Sequence, residues 1–394
     1  MKKITERFIA LAFIVIIIGL GAGTFLNVKD DILDVLKKDE SAAEVTTEIE
    51  TQLADNFKGR HHWININGLF LRGIGKRIVE DPGDIDVYKM DNGKLTYAYP
   101  DVDMSDAASN TVEFAKAVEE KGATFIYVQL PCKVYDDELM PPGTHSYADS
   151  TSDYILDALE AENIKTLDLR DYLYEQEEES GDIFFNTDHH WKPSAALQAA
   201  GIITEELGDA VEGFYVDEEC LNEDNFNVEV YEDKLLGSLG RRTGKYYGGT
   251  DDFELITPKY ETDFNLYTEK QNSGKKGERE GDFTKALLKT NYLERNDLFD
   301  EMTYFTYIGG EYRKAVVTNN MTQNSNKILM LRDSFSCTLL PFLSLACNQI
   351  TAVDLRYHDN PELMQIIEDE DIDTVLVVYN PSMFREDGAF DFFK

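Results

Sequence analysis

Two blocks of alternating short and long apolar segments constrain the fold of this chain more than any other feature. The alternation begins near residue 105, stops near 208 and returns near 320. Short runs at 124–130 and 374–379 have the length and composition of buried strands, whereas 110–121 carries apolar residues at helical spacing. Strands that alternate with helices predict a parallel sheet with helices on both faces. We therefore expect an α/β domain over 105–394.

The segment between the two blocks, about 208–320, lacks this rhythm. It is rich in Tyr, Phe, Asn and Gly, and it contains a polar stretch at 271–281 that predicts a mobile loop. We expect a large insertion or subdomain with some β character there.

The amino terminus predicts a membrane segment. Lys2, Lys3 and Arg7 precede the uncharged run 8–28, which as a helix is about 30 Å long, the thickness of a bilayer core. The basic flank indicates that the rest of the chain is extracytoplasmic. A cleaved signal peptide, with a weak cleavage site at 21–23, is the alternative to a retained single-pass anchor, which the sequence favours. Residues 29–104 then form a stalk and an N-terminal extension.

The charge balance excludes some classes of partner. Lys and Arg number 38 against 75 Asp and Glu, a formal charge of −37. Nucleic-acid binding needs a basic surface, and so does adhesion to an anionic membrane by charge, so both are disfavoured. The four cysteines have no metal-site spacing, and we expect buried thiols, with one disulfide left open. We expect no cofactor and no metal.

The first candidate site is the tetrapeptide RDSF at 332–335, between the predicted strand 327–331 and an apolar helix. Ligands of open α/β sheets bind at the carboxyl ends of strands. Ser334 at such a turn can act as a nucleophile whose oxyanion is stabilised by helix N-terminal N–H groups. The alternative is that Asp333 and Ser334 only cap the helix.

The second candidate is the TDHHW segment at 187–191. Asp188 and His190 are two residues apart, so in an extended segment their side chains share a side and the carboxylate can orient the imidazole. Adjacent histidines also occur at His61 and His62, which leaves a zinc site as an alternative, although no HExxH-like spacing supports it.

A third candidate is Lys133, which follows the strand 124–130 and either reaches the site or is simply exposed. Further candidates for substrate or oxyanion contacts complete the set: Arg332, Asn320, Trp191 and Tyr379.

Taken together, TDHHW at 187–191 and RDSF at 332–335 resemble the DHHW family, which is related to alginate O-acetyltransferases with SGNH-hydrolase-like, flavodoxin-like catalytic domains. The segments NFKGR at 56–60, LPCK at 130–133 and VDLRYHDN at 353–360 also resemble that family. The resemblance implies that Ser334 is the nucleophile, His190 the general base and Asp188 its orienting partner. The usual oxyanion Gly and Asn blocks are not recognisable, so the backbone N–H of Ser334 and the side chain of Asn320 are the candidates.

The resemblance also implies a function. It predicts an extracytoplasmic O-acetyltransferase that passes acetyl groups through an acyl-serine to a polysaccharide, with a membrane-bound O-acyltransferase supplying them. A secreted carbohydrate esterase using the same triad is one alternative. A non-catalytic protein for glycan binding or assembly is another, with sugar-stacking tyrosines in the insertion: Tyr231, Tyr246, Tyr247, Tyr260 and Tyr267.

Overall fold

The N-terminal part of the chain consists of helices followed by short antiparallel strands. The computed structural model describes residues 2–38, 41–81, 85–271, 273–357 and 363–393. The elements in this part are α1 (Lys2–Val35), α2 (Ala42–Asp55), α3 (Arg60–Gly73), β1 (Ile78–Val79), β2 (Val87–Lys89) and β3 (Leu95–Thr96). By length and composition, the stretch Arg7–Val35 of α1 is able to cross a membrane. The start of the predicted stalk and extension is helical in α1 and α2, and β2 and β3 pair antiparallel.

The first α/β block matches its predicted elements to within a few residues. Its elements are α4 (Ser105–Glu120), β4 (Thr124–Gln129), α5 (Ala148–Ala161), β5 (Thr166–Asp168), α6 (Arg170–Ser180) and α7 (Pro193–Ala210). In the acidic run at 175–179 of α6 most side chains face solvent, but Glu177 is buried and pairs with Lys94. Pro193 opens α7 because its fixed φ suits the first helical position and its missing N–H would have no partner there.

The segment 208–320 was expected to be an insertion or subdomain, but part of it belongs to the central sheet of the domain. Its elements are β6 (Phe226–Leu235), α8 (Ser238–Thr243), α9 (Lys245–Gly248), β7 (Asp251–Pro258), β8 (Phe264–Lys270), β9 (Lys276–Gly281), α10 (Phe283–Leu287) and β10 (Tyr312–Asn319). β6 and β7 form a separate hairpin, whereas β8, β9 and β10 join the central sheet. The expected mobile loop at 271–281 was wrong for 276–281, which is the charged edge strand β9. Residue 272 lies outside the described residues.

The second α/β block completes the sheet. Its elements are β11 (Lys327–Arg332), α11 (Ser336–Leu343), β12 (Gln349–Val353), α12 (Leu363–Asp369) and β13 (Thr374–Tyr379). Pro341 lies inside α11. Residues 358–362, which include the end of the VDLRYHDN segment, lie outside the described residues.

Within the described ranges, eight strands form the central sheet in the order β5-β4-β13-β11-β12-β10-β8-β9. The first five are parallel, and the last three pair antiparallel. If β11 is taken as the first strand and the count continues through β12, β13, β4 and β5, the parallel part has the flavodoxin-like order 2-1-3-4-5. The predicted α/β class is confirmed, with an antiparallel extension at one edge.

Alternate residues of the parallel strands enter two hydrophobic cores, one on each face. In β11, Ile328 and Met330 belong to the core that includes α7 and α11, while Leu329 and Leu331 belong to the core that includes α4 and α5. This double burial explains why these strands are continuously apolar. All four cysteines lie within the described ranges, and they are buried and unbridged.

Candidate active site

The turn between β11 and α11 places Ser334 at the carboxyl edge of the sheet. The carboxylate of Asp333 accepts the backbone N–H of Phe335 at 2.9 Å and that of Asn380 at 2.6 Å. Burial raises the pKa of Asp333 to about 6. Asp333 therefore holds the turn, as the capping interpretation proposed, but the Ser334 hydroxyl does not cap the helix and is free for another partner.

A network of buried polar groups fixes the loop that carries TDHHW. Asp251 accepts the backbone N–H and the hydroxyl of Thr187. The ammonium of Lys133 donates to the backbone carbonyls of Asp188 and, at 2.7 Å, of Leu95. These bonds set the position of the loop backbone before any substrate is present.

The loop brings Asp188 and His190 to Ser334 in one chain of hydrogen bonds. His190 Nε2 lies 2.8 Å from Ser334 Oγ, and His190 Nδ1 lies 2.6 Å from Asp188 Oδ1. The second oxygen of Asp188 accepts the N–H of Ser238 at 2.7 Å. Gly237 makes this approach possible, since a Cβ there would lie 2.5 Å from Asp188 Cα. The sequence predicted that these three side chains lie close together, and the structure brings them into hydrogen-bond contact.

Electrostatics keep Asp188 ionised. Burial opposes its charge, but the imidazoles of His190 and His189 and the hydrogen bonds from His190 and Ser238 outweigh burial and hold the pKa of Asp188 well below its usual range. The pKa of His189 is lowered because of burial and the neighbouring His190. An ionised carboxylate on Nδ1 leaves Nε2 of a neutral His190 able to accept the proton of Ser334.

Two aromatic side chains hold the imidazole and the serine in place. The Tyr304 ring stacks on His190 with centroids 4.0 Å apart and planes 15° apart. Its hydroxyl donates to the backbone carbonyl of Ser334 at 3.1 Å. Trp191 is fully buried, and its indole N–H lies 3.1 Å from the carbonyl of Phe335 and 2.9 Å from Thr338 Oγ1. Trp191 therefore ties the histidine loop to α11.

The serine opens into a cavity of about 240 Å³. Its lining comprises Asp188, His189, His190, Leu235, Ser238, Arg241, Tyr304, Phe305, Glu311, Ser334, Arg356 and Tyr357. The Arg356 guanidinium is oriented by both oxygens of Asp354 and by Glu311. Among the described residues, no acceptor is found for the backbone N–H of Ser334, which therefore stays available beside the hydroxyl.

Four of the other candidate residues do not line this cavity. Lys133 is buried beneath the histidine loop, and the Arg332 side chain is buried against the carbonyls of Asp333 and Tyr312. Tyr379 lies in the core, where its hydroxyl donates to the carbonyl of Ala389.

Asn320 lies at the opposite edge of the sheet. It follows β10, which runs antiparallel to β12, and it bonds to Asp263. The amide therefore cannot serve as an oxyanion donor to Ser334. Trp191 approaches the site but faces α11 rather than the cavity.

The proposed sugar-stacking tyrosines do not form a common platform. Tyr247 is buried and donates to the carbonyl of Lys76, and Tyr260 donates to the carbonyl of Cys220. Tyr246 is the well-exposed member of the set. Tyr247 and Tyr260 therefore have a role in packing the domain, as the hydrogen bonds of their hydroxyls to backbone carbonyls show.

Sequence reasoning missed Tyr304, Ser238 and Glu311. All lie in the segment without periodicity, where no local pattern marks them. Arg356 was also not singled out, although it lies in the segment 353–360 that contributed to the family resemblance; its position shortly after β12 at the carboxyl edge is the signal that could have identified it.

Ligand atoms of Asp188, His189 and His190 lie within 4.8 Å of one another. Both His190 nitrogens and both Asp188 oxygens are already hydrogen bonded, so a metal ion would have to displace these bonds. The second histidine pair lies elsewhere, with His61 stacked on Phe299 at 4.0 Å.

Comparison with known proteins gives one family match and several structural matches. Residues 95–255 match the family model described as the SGNH hydrolase-like domain of the acetyltransferase AlgX. No curated protein matches the sequence. The family model thus relates the segment that carries Asp188 and His190 to an acetyltransferase.

The structural matches show the fold. Bacillus cereus PatB1 is 22% identical, with a TM-score of 0.66, over 78% of this chain and 100% of its own. A DHHW family protein from Eubacterium siraeum is 19% identical, with a TM-score of 0.60, over 80% and 97%. The O-acetyltransferase domain of Pseudomonas putida AlgJ gives 13% identity and a TM-score of 0.46 over 76% and 91%. The family resemblance and the SGNH-like fold predicted from the sequence are confirmed.

Proposed function

We propose that the chain is an extracytoplasmic O-acetyltransferase that transfers acetyl groups through Ser334 to the hydroxyls of a polysaccharide. The observation that carries the proposal is the hydrogen-bond chain from Ser334 through His190 to Asp188 at the wall of a cavity. The acetyltransferase description of the matching family model supports the choice of acyl group.

In the first half-reaction, His190 Nε2 takes the proton of Ser334 Oγ as the oxygen bonds to the acetyl carbonyl carbon. The developing oxyanion is stabilised by the backbone N–H of Ser334 and by the positive charge of Arg356 at the cavity wall. When the tetrahedral intermediate collapses, the bond to the donor oxygen breaks and His190 returns the proton to that oxygen. Acetyl-Ser334 and the deacetylated donor are the products.

In the second half-reaction, a sugar hydroxyl enters the cavity, and neutral His190 removes its proton. The sugar oxygen bonds to the acetyl carbon, the bond to Ser334 Oγ breaks, and His190 protonates the serine. Asp188 stays ionised throughout and stabilises the imidazolium in both halves.

The choice between a sugar hydroxyl and water as acceptor separates the transferase from the esterase alternative. Ser334 is 8% exposed, and the ring of Tyr304 covers one face of His190. Limited water access favours the sugar acceptor, since a glycan that fills the cavity excludes competing water. An extracytoplasmic position for the site follows from α1 as anchor or signal peptide, and such a site needs acetyl groups delivered across the membrane. A membrane-bound O-acyltransferase meets that need.

The test uses the full chain in detergent with p-nitrophenyl acetate and a panel of polysaccharides. We expect release of p-nitrophenol, an acetyl group on Ser334 detectable by mass spectrometry, and acetylated glycan. The variant Ser334→Ala should lose all three.

Ser336→Ala is the matched control, because Ser336 is buried in the same turn and its hydroxyl has no hydrogen-bond partner among the described residues. Equal turnover in Ser334→Ala and the wild type would refute the nucleophile. If acetate is released at the same rate with and without glycans and no acetylated glycan forms, water is the acceptor, and the result favours the esterase.

A further inference from the structure

The outward side of helix α3 is an exposed apolar surface. It is formed by Trp63, Ile66, Leu69, Phe70 and Ile74, which we call the α3 outer face; Trp63 is 46% and Phe70 62% exposed. The spacing of positions 63, 66, 70 and 74 places them on one stripe of a helix. Contiguous exposed apolar surface of this kind marks a site of interaction with a partner or a membrane.

The opposite side of α3 is packed firmly on the domain. Asn65, Gly68 and Leu71 are buried, and α3 packs against α8 and α9. Asn65 Oδ1 accepts the backbone N–H of Lys245 at 2.8 Å, and a Cβ at Gly68 would overlap the carbonyl of Thr243. The helix therefore cannot rotate its apolar stripe inward, and the outer face needs a partner outside the domain.

The charge around the outer face differs from that of the rest of the chain. Residues 56–79 contain five basic residues and no acidic one, in a protein with 75 acidic and 38 basic residues. The five are Lys58, Arg60, Arg72, Lys76 and Arg77. Arg60 has Asp55 at 3.7 Å, and Arg77 is paired with Asp91, so the excess positive charge is greatest at Lys58 and Arg72. Basic residues flanking Trp, Phe and Leu are typical of helices that lie in the headgroup region of a bilayer.

A contact with α1 places α3 at the height of the membrane surface. The backbone N–H of Lys58, two residues before α3, donates to Thr24 Oγ1 at 3.0 Å. Thr24 lies near the outer end of the uncharged run 8–28, where a membrane-spanning α1 leaves the hydrocarbon core. The beginning of α3 is therefore at the level where headgroups meet acyl chains.

From these observations we propose that the α3 outer face lies in the outer lipid–water interface of the membrane that α1 spans, with its basic residues on anionic headgroups. The binding partner is the lipid bilayer itself. With α1 as the first attachment, this contact is a second one, and it fixes the orientation of the domain relative to the bilayer. It is independent of the proposed reaction and requires only that α1 spans the membrane.

Trp63 gives a direct test, since the chain has two tryptophans and the other, Trp191, is fully buried. The full chain is reconstituted in vesicles of phosphatidylcholine with phosphatidylglycerol, and vesicles that carry the inserted protein are isolated by flotation. Lipids brominated near the headgroup end of the acyl chain should quench Trp63 emission about twofold, and lipids brominated at the bilayer centre much less. Trp63→Phe should remove this quenching and leave the emission of Trp191.

Variants separate the apolar and charged contributions. Phe70→Asp should lower the bromolipid quenching of Trp63 and let aqueous iodide quench it instead. Arg72→Glu should make the quenching depend less on phosphatidylglycerol, since each basic residue near an anionic surface strengthens association about fivefold. Tyr154→Asp is the control, because Tyr154 is equally exposed but lies on α5, and it should change nothing.

Iodide quenching of Trp63 without bromolipid quenching, in floated vesicles, would overturn the proposal. The outer face would then be exposed to water even in the presence of the bilayer, and it would suit a membrane protein as partner instead. Loss of acetyl transfer by Ser334→Ala bears on the reaction alone and leaves this result unchanged.

Discussion

Lys133→Met is expected to remove a pH dependence of the protein's stability that comes from the buried Lys133 side chain. Lys133 is 2% exposed and donates to the carbonyls of Leu95 and Asp188. Burial lowers its pKa from 10.5 to about 7, although the charge of Asp251 counteracts part of the effect. A lysine with a lowered pKa in the folded state binds its proton more weakly there than in the unfolded chain.

The sign and size follow from proton linkage. Between pH 7 and pH 10.5 the unfolded state holds the Lys133 proton and the folded state has released it, so this group makes stability rise with pH. The slope is about 1.4 kcal/mol per pH unit, or about 3 kcal/mol between pH 7.5 and 9.5. The neutral amine still donates to both carbonyls. In Lys133→Met the two carbonyls lose their hydrogen-bond donor, which lowers the free energy of unfolding by about 1–3 kcal/mol for each carbonyl. The variant also no longer buries a charge, and this raises the free energy of unfolding where Lys133 would be protonated.

The wild type and the variant should therefore be similar in stability near pH 6 and diverge at higher pH, with the wild type more stable by about 3 kcal/mol at pH 9.5. Urea unfolding of the full chain in detergent, followed by tryptophan fluorescence from pH 6 to 9.5, measures the difference. Lys116→Met removes an exposed lysine that is ion-paired with Glu162 and serves as the control. If the curves of wild type and Lys133→Met stay parallel over this range, Lys133 does not lose its proton there and the reasoning fails.

Three further substitutions test groups that position the candidate site. Trp191→Phe removes two hydrogen bonds in the core and should cost about 2–3 kcal/mol of stability; thermal unfolding checks this, and kcat should fall while KM stays constant. Tyr304→Phe removes the hydroxyl that bonds to the Ser334 carbonyl and should lower kcat/KM about fivefold with p-nitrophenyl acetate; a loss above a hundredfold would mean that the hydroxyl takes part in the chemistry. Gly237→Ala should displace Asp188 and lower kcat by at least about a hundredfold, because the orienting carboxylate moves; unchanged turnover would show that the loop relaxes.

The elements that the sequence predicts well are those whose pattern is local. The strands β4, β11 and β13 are buried on both faces, so each reads as a continuous apolar run with clear ends. β9 has the opposite character: it is an edge strand of charged residues and glycines (KGEREG) with no fully buried residue, and no apolar pattern in its sequence marks it as a strand. Such a strand has the composition of a loop.

The residues of the candidate site also differ in whether a local sequence pattern identifies them. Asp188, His190 and Ser334 were found because motifs mark them and strand ends place them. Asn320 was misplaced because a sequence pattern reports that a strand exists but not its direction, and the antiparallel β10 delivers the residue to the wrong edge. Lys133 was assigned correctly to a strand end, but its side chain turns beneath the loop, and only packing decides that.

The order of the motifs along the chain is explained by the order of the strands. Ser334 follows β11 and the histidine loop follows β5, so a chain that began at β11 would present the serine first and the Asp-x-His segment last, with the same edge of the sheet carrying both. In the structure, α4 at the beginning of the domain lies against the segment that follows β13. Phe392 stacks on Phe114 of α4 at 4.7 Å, and Asn110 donates to the carbonyl of Phe390 at 3.2 Å. A short link from there to α4 would close the domain, so β11 and β5 can occupy their sheet positions whichever of them comes first. The sheet edge, and not the sequence order, therefore determines which residues meet, and a search that requires the serine to precede the histidine would miss this site.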